Sequence, residues 1–475
     1  MARTARDGSS GSSSGSKRRA APKTAAAPRR RRARSAASPR PRIRMYRQGL
    51  GDCFLVTLPR SDGKGDAFRI MIDCGVLLGT PDAQRRMNDV VGDIAQVSGG
   101  HVDLLLVTHE HWDHVSGFMQ AREAFKGIAF GAVWMGWTES PTDRQARRLG
   151  EDRRRALAAL RLADSRLRLA GAAEVAEEVS GLLGFFGAGG GASTTDALNA
   201  ARALAPAGGL RYAEPGETPT DLPGTGARLY VLGPPRDEKL LLRSDPSRRN
   251  PETYDLAFGG FAIEGMMAAP GGAPPEGPFA ERLTIPMEVA RAMPEFHRYW
   301  SDGTGGAGEG EAWRRIDGDW LDAAADLALR LDHDTNNTSL AVAIELDNGE
   351  VLLFAADAQV GNWLSWEALA WNVEGRRVTG PDLLARTVFY KVGHHGSHNA
   401  TLREKGLEAM DRLRIAAIPV DEEMARKRRW NSMPLPSLLE RLKEKTGGRV
   451  LRTDGKAPAG IDGLQAAGLF FDFAP

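Results

Sequence analysis

Residues 104–114 read Leu-Leu-Leu-Val-Thr-His-Glu-His-Trp-Asp-His, an apolar run followed at once by a cluster of polar side chains. The apolar part predicts a buried β-strand that ends at Thr108, and the loop after it carries three of the chain's nine histidines. Imidazole and carboxylate suit Zn²⁺, Mn²⁺ or iron, and a divalent cation compensates for burying such groups together. The stretch therefore predicts a metal site rather than a solvated polar turn, with candidate ligands His109, His111, Asp113 and His114.

The spacing His-x-His-x-Asp-His after an apolar strand resembles the signature of hydrolases with the metallo-β-lactamase fold. That resemblance implies an α/β protein, a four-layer αβ/βα sandwich, which here would carry a helical and Gly/Pro-rich insertion. It also implies that His109 and His111 bind a first metal ion and that Asp113 and His114 bind a second.

Four further motifs resemble the hydrolase domain of ComEC-type competence proteins, over roughly residues 42–135 and 330–460. They are Gly49-x-Gly51-Asp52, Ile72-Asp73-Cys74-Gly75, Asn336-Asn337-Thr338-Ser339 and Lys391-x-x-His394-His395-Gly396-Ser397. The resemblance implies that Asp73 supports the metal loop through hydrogen bonds and that Asp357 bridges the two metal ions. It also implies that His394 binds the second metal while His395 supports it or faces the substrate; the reverse order stays open.

The stretch before the strand that leads to Asp357 departs from the family pattern. Most members with two metal ions use a further histidine there, whereas residues 332–339 read Asp-His-Asp-Thr-Asn-Asn-Thr-Ser, with His333 a few residues early. The first site would then have only His109, His111 and Asp357, completed by water or an amide. One or two Zn²⁺ ions are therefore expected, with Mn²⁺ as the alternative.

Charge divides the chain into two parts. The first 44 residues carry fourteen Lys or Arg and one acid, a charge of +13 within a chain of net charge +2, so the rest carries −11. We predict a disordered basic tail over residues 1–41 and a metallo-β-lactamase-like hydrolase domain over residues 42–475. The acidic domain argues against a broadly basic nucleic-acid-binding face, while the tail leaves weak polyanion binding open.

Residues 138–330 are predicted to be mostly insertion. Residues 141–186 have the Ala-, Leu- and Arg-rich pattern of helices, and another amphipathic helix is predicted over residues 320–331. Residues 236–310 between them are rich in Gly and Pro, and so long a loop is a candidate lid or substrate-selecting segment.

Composition also limits the class of protein. Two cysteines, Cys53 and Cys74, are too few for a disulfide framework. No apolar run is long enough to predict a membrane-spanning helix, and the N-terminus lacks the apolar segment of a secretory signal peptide. We therefore expect a cytoplasmic protein; the sequence predicts no oligomeric state.

These features predict a hydrolase in which one or two divalent metal ions activate water for attack on an ester. Asp113 would orient or deprotonate the water, and His395, His398 or Lys391 would stabilise the oxyanion or protonate the leaving group. The ComEC resemblance implies a phosphodiester substrate, in a nucleotide or nucleic acid, whereas other members of the fold cleave lactones, thioesters or amides. A non-catalytic metal-binding module with a regulatory or defensive role is the second hypothesis.

Overall fold

Two facing β-sheets form the centre of the computed structural model, which describes residues 40–62, 67–169, 173–187, 193–243, 285, 289, 293–295, 319–428, 430 and 433–475. One sheet has the strand order β16-β17-β1-β2-β3-β4-β5-β6, the other the order β15-β14-β13-β10-β9-β8-β7, and β11 pairs with β12 in a separate hairpin. The strands are β1 (Arg42–Tyr46), β2 (Phe54–Pro59), β3 (Ala67–Ile72), β4 (His101–Val107), β5 (Ala129–Gly136), β6 (Leu210–Ala213), β7 (Thr220–Asp221), β8 (Arg228–Val231), β9 (Val342–Glu345), β10 (Val351–Phe354), β11 (Ala370–Val373), β12 (Arg376–Thr379), β13 (Thr387–Lys391), β14 (Ile415–Ile418), β15 (Val450–Arg452), β16 (Gln465–Ala466) and β17 (Phe470–Phe473).

Alternation along the strands divides the apolar side chains between inner and outer cores. Phe54 and Val56 of β2 pack with Ile344 of β9 in the core between the sheets. Leu55, between them in sequence, faces the opposite side of the first sheet. On β10, Leu353 likewise packs on the outer side of the second sheet. Each sheet is therefore buried on both faces, which explains why its strands are apolar almost throughout.

Helices cover the two outer faces. On the first sheet, α1, α2 and α6 contribute to the outer core; on the second, α4, α5 and α8 pack on one another and on the sheet. The helices are α1 (Ala83–Ser98), α2 (Trp112–Gln120), α3 (Arg122–Phe125), α4 (Arg144–Leu169), α5 (Ala173–Leu183), α6 (Thr194–Arg202), α7 (Glu238–Leu241), α8 (Asp319–Asn336), α9 (Val360–Ser365), α10 (Gly380–Ala385), α11 (Glu422–Lys427) and α12 (Pro436–Thr446).

This arrangement of helix, sheet, sheet and helix layers confirms the predicted four-layer α/β sandwich. Helices α4 and α5 correspond to the helical part of the expected insertion, and α8 continues to Asn336, beyond the predicted end at residue 331. The predicted tail over residues 1–41, apart from Arg40 and Pro41, lies outside the described residues, as does most of the Gly/Pro-rich segment 236–310.

No helix within the described ranges combines the length and the hydrophobicity that a membrane span requires.

The polar motifs follow the carboxyl ends of four strands. Strands β3 and β4 are parallel neighbours in the first sheet, and β10 and β13 are parallel neighbours in the second. The segments that leave these strands contain Asp73, the loop 108–114, Asp357 and the pair His394-His395. In α/β proteins ligands commonly bind beyond the carboxyl ends of strands, so the functional site is expected at this edge of the two sheets.

Candidate metal centre

Asp73, which directly follows β3, fixes the loop after β4. Its Oδ1 accepts a hydrogen bond from the Thr108 backbone N–H (2.8 Å), and its Oδ2 accepts one from the Thr108 hydroxyl (2.7 Å). The same Oδ2 lies 2.8 Å from Nδ1 of His114, so Nδ1 carries the proton and Nε2 keeps its lone pair. These contacts match the supporting role that the resemblance implies for Asp73.

Two glycines allow neighbouring backbones to pack against the metal loop. A β-carbon on Gly75 would lie 2.5 Å from the backbone nitrogen of His114, and one on Gly51 would lie 2.6 Å from the carbonyl oxygen of Asp113. The Asp52 N–H donates a hydrogen bond to that same Asp113 oxygen at 3.0 Å. The Gly-rich motifs therefore position the ligand loop through backbone contact.

Substituting Gly75 with alanine is expected to lower the free energy of unfolding by about 2 kcal/mol or more and to reduce the metal content. The added methyl group meets main-chain atoms of Asp113 and His114, which cannot rotate away as a side chain could. Thermal unfolding and elemental analysis measure the two effects. Gly92→Ala is the matched control, because its β-carbon meets nothing within 4 Å in helix α1. Wild-type melting and metal content in Gly75→Ala would contradict the prediction.

Four donor atoms from three separate segments converge at the metal loop. His395 Nε2 lies 2.8 Å from Asp113 Oδ2 and 3.5 Å from Asp357 Oδ2. His114 Nε2 lies 3.2 Å from Asp357 Oδ2 and 3.7 Å from Asp113 Oδ2. Ligands held at about 2.0–2.2 Å from one tetrahedral ion are about 3.3–3.6 Å apart. Three of these spacings, 3.2, 3.5 and 3.7 Å, lie close to that range, whereas the 2.8 Å between His395 and Asp113 is a hydrogen-bond distance. We call Asp113, His114, Asp357 and His395 the second ligand set.

Hydrogen bonds orient both histidines of the second ligand set. Nδ1 of His395 lies 2.6 Å from the Pro419 carbonyl oxygen and donates to it, which turns Nε2 toward the set. Burial acts to lower the pKa of His114 and of His395, but Asp357 and the neighbouring carboxylates outweigh it and raise both values. The carboxylates therefore attract positive charge to this point, as a cation site requires.

Lys391 forms an ion pair with Asp357, the carboxylate predicted to bridge two metal ions. Its Nζ lies 3.1 Å from Asp357 Oδ1, 2.6 Å from Asp52 Oδ2 and 2.8 Å from the Ala356 carbonyl oxygen. Burial acts to lower the pKa of Lys391, but Asp52 and Asp357 raise it overall, so the amine is charged. An ammonium group has three N–H donors, and all three are engaged. This geometry favours a positioning role for Lys391 over the predicted contact with substrate.

Asp52 is close to the second ligand set but lies on the Nδ1 side of its two histidines. Asp52, His114, Asp357 and His395 offer donor atoms within 4.8 Å of one another. However, Asp52 faces the Nδ1 atoms of both histidines, each at 3.9 Å, and is paired with Lys391. Asp113 faces their Nε2 atoms, which carry the lone pairs. The geometry therefore favours Asp113 over Asp52 as the candidate ligand.

Three further buried atoms lie near the second ligand set. Nε2 of His109, Nε2 of His111 and Oδ1 of Asp332 are buried and have no hydrogen-bond partner among the described residues. Burial lowers the pKa of His109 well below its usual value and that of His111 to about 3, so both imidazoles are neutral and can bind metal. Such orphaned donors fit a metal ion better than a dry core. Asp332 was not among the metal ligands predicted from the sequence.

The two adjacent histidines after β13 face different neighbours. His394, predicted as the ligand, has Nδ1 2.8 Å from Ser397 Oγ and Nε2 3.4 Å from Asn336 Nδ2. Burial lowers its pKa to about 3. His395 instead faces the second ligand set, so the geometry favours the reverse order that the sequence left open. His398, a predicted catalytic residue, is exposed on the next turn.

Aromatic residues from the insertion cover the site. The rings of Phe185 and Phe186, in the turn after α5, have their centroids 5.3 and 4.9 Å from that of His111. Phe185 also stacks on Trp430 at 4.8 Å. Arg153 of α4 pairs with Glu110 of the metal loop at 2.6 Å. The insertion is thus anchored to the loop and closes over its histidines.

Residues 46–160 match the family model of the metallo-beta-lactamase superfamily. The match contains β2 to β5 and the loop with His109, His111, Asp113 and His114, and it supports the fold predicted from that loop. Asp357 and His395 lie outside the matched residues; the fold brings them to the loop. A comparison with curated proteins found no match to the chain. The narrower ComEC resemblance stays a prediction.

Proposed function

We propose that this protein is a metal-dependent hydrolase of a phosphodiester, related in activity to the ComEC-type hydrolase domains that its motifs resemble. The observation that carries the proposal is the second ligand set, four buried donor atoms that converge near the Nε2 atoms of His109 and His111, which have no hydrogen-bond partner among the described residues. The metallo-beta-lactamase match over residues 46–160 supports hydrolytic chemistry in general. Zn²⁺ is the proposed ion, with Mn²⁺ as the alternative.

Divalent ions, when bound, lower the pKa of water and polarise the ester oxygen. Asp113 has one carboxylate oxygen toward His395 and a second, Oδ1, that is buried and has no hydrogen-bond partner within the described ranges. We assign Oδ1 the task of orienting the attacking water and accepting its proton. Lys391 keeps Asp357 fixed so that its Oδ2 faces the histidines. His398, exposed on the loop after β13, is the proposed proton donor to the leaving group.

The surroundings of the site favour a small or single-stranded substrate. The ligand residues are buried, Phe185 and Phe186 lie against His111, and Trp430 stacks on Phe185, so a rigid duplex could not reach the ligands without large movement. Phe185 and Phe186 are buried, but the partly exposed Trp430 offers a stacking surface to a nucleobase. A nucleotide or the end of a single strand therefore suits the site better than duplex DNA, in accord with the acidic domain.

The test combines metal analysis with a substrate panel. The purified chain, loaded with Zn²⁺ or Mn²⁺, is assayed on bis-p-nitrophenyl phosphate, single-stranded DNA, a lactone and a thioester. We expect turnover of the phosphodiesters that is lost on chelation and restored by added metal. His111→Ala is expected to lower kcat/KM by about 10²-fold or more, because one ligand is removed.

His101→Ala is the matched control, since His101 lies at the start of the same strand, β4, with an exposed side chain. It should retain wild-type turnover. Activity that survives both chelation and His111→Ala would reject the metal mechanism. Stoichiometric metal with no turnover on any ester would instead favour the non-catalytic module, which the enclosure of the ligands by Phe185 and Phe186 also fits.

A further inference from the structure

The end of helix α8 brings an unexpected carboxylate to the site. Helix α8 runs to Asn336, and residues four apart on a helix share a face, so Asp332 and Asn336 project together. Asn336 Nδ2 donates a hydrogen bond to Asp332 Oδ2 at 3.1 Å. The other oxygen of Asp332, Oδ1, then lies 3.7 Å from Nε2 of His111.

Burial without a partner makes this oxygen a ligand candidate. Asp332 is only 3% exposed, and neither its Oδ1 nor the facing His111 Nε2 has a hydrogen-bond partner in the described part of the chain. Burying a carboxylate oxygen and an imidazole lone pair face to face is unfavourable unless something positive lies between them. A metal ion bound by both atoms would satisfy them together.

The spacing agrees with this interpretation. The distance of 3.7 Å between His111 Nε2 and Asp332 Oδ1 equals the distance between His114 Nε2 and Asp113 Oδ2 in the second ligand set. His109 contributes a third unpartnered atom, Nε2, and its other ring nitrogen is held by Thr108 Oγ1 at 3.1 Å and Ser339 Oγ at 3.3 Å. Two imidazoles and a carboxylate form a donor set that Zn²⁺ and Mn²⁺ both accept.

We propose that Asp332 takes the place of the histidine that this chain lacks: it completes a first metal site with His109 and His111, and Asn336 orients its carboxylate. This inference deepens the proposed function and rests on its metal centre alone, not on the substrate. It gives the chain two metal sites, each with carboxylate and imidazole ligands. Asp332 lies in the last part of helix α8, just after the predicted end of the insertion at residue 330.

The test counts metal ions and follows their spectrum. Wild type, Asp332→Ala and Asp332→Asn are titrated with Co²⁺ and analysed for bound metal after dialysis. We expect two ions per chain in wild type and one in Asp332→Ala, with affinity for the lost ion reduced by more than about 100-fold. The Co²⁺ absorption bands of the first site should disappear while those of the second remain. Asp326→Asn, exposed on the same helix, is the matched control and should bind two ions.

Thermal melting of the metal-free protein separates a ligand from a structural residue. If Asp332 is a ligand, its removal leaves the metal-free melting temperature unchanged or higher, because an unpaired buried oxygen is lost, and the rise on adding Co²⁺ becomes smaller. Two ions bound with wild-type affinity in Asp332→Ala would overturn the proposal, as would a single ion in wild type that is unaffected by the substitution. Neither readout depends on turnover. A failed hydrolase assay therefore does not affect the test of Asp332 as a ligand, and a failed test of Asp332 does not by itself reject the proposed hydrolase activity.

Discussion

Replacing Asp113 with alanine is expected to lower kcat/KM for a phosphodiester by about 10³-fold or more and to remove one metal ion per chain. Asp113 has two tasks in the proposed mechanism. Its Oδ2 lies within the second ligand set, 2.8 Å from His395 Nε2, and its unpartnered Oδ1 is the proposed proton acceptor. The substitution removes both functions at once, so its effect should exceed that of removing one histidine.

Asp113→Asn separates the two tasks, because the amide keeps an oxygen in place but is a far weaker base. We expect it to retain more metal than Asp113→Ala while losing a similar share of kcat. Asp89→Asn, an exposed aspartate on helix α1, controls for loss of charge. Elemental analysis and steady-state kinetics on bis-p-nitrophenyl phosphate give both quantities. Wild-type kcat in Asp113→Asn would remove Asp113 from the chemical step.

The fold followed from short local signals. An apolar run ending in clustered histidines predicted β4 and its loop, which the structure confirms, and the turn residues Asp347-Asn348-Gly349 join β9 and β10 in a hairpin. The alternation of apolar and polar residues could not show which side chains of these strands point to the inner core and which to the outer one. Both faces of each sheet are buried, and most of the side chains are apolar. The hairpin of β11 and β12 was not predicted, because its strands are short and mixed in polarity.

The candidate site was predictable where its ligands follow strands and less so elsewhere. The proposed ligand Asp332 was not predicted, because apolar periodicity ends near residue 331, whereas helix α8 continues for another turn and brings Asp332 Oδ1 to 3.7 Å from His111 Nε2. Lys391 was expected to contact substrate, but a sequence cannot show that Asp52, far away in the chain, engages its amine. The order of His394 and His395 depends on backbone dihedrals, with φ values of +39° and +51°, that adjacent identical residues do not reveal.

Replacing Lys391 with methionine is expected to destabilise the protein by about 3–5 kcal/mol, the usual effect of breaking a buried ion pair from one side. Lys391 is 1% exposed and lies between Asp52 and Asp357, themselves about as deeply buried. Methionine fills similar space but leaves two carboxylates facing each other without a cation. Because the pKa of Lys391 is raised above its usual value, the pair contributes fully at neutral pH and is lost only as pH rises through the raised pKa.

Urea unfolding at neutral pH, with and without added Zn²⁺, measures this effect. The double variant Asp52→Asn/Lys391→Met should recover part of the lost stability, because one unpaired charge is removed with its partner. Added Zn²⁺ should offset another part, since a cation in the second ligand set compensates Asp357. Lys405→Met, which breaks an exposed pair with Glu367, is the control and should change stability by less than about 1 kcal/mol. A Lys391→Met protein as stable as that control, or a double variant less stable than the single, would show that Lys391 does not hold the bridging carboxylate by charge.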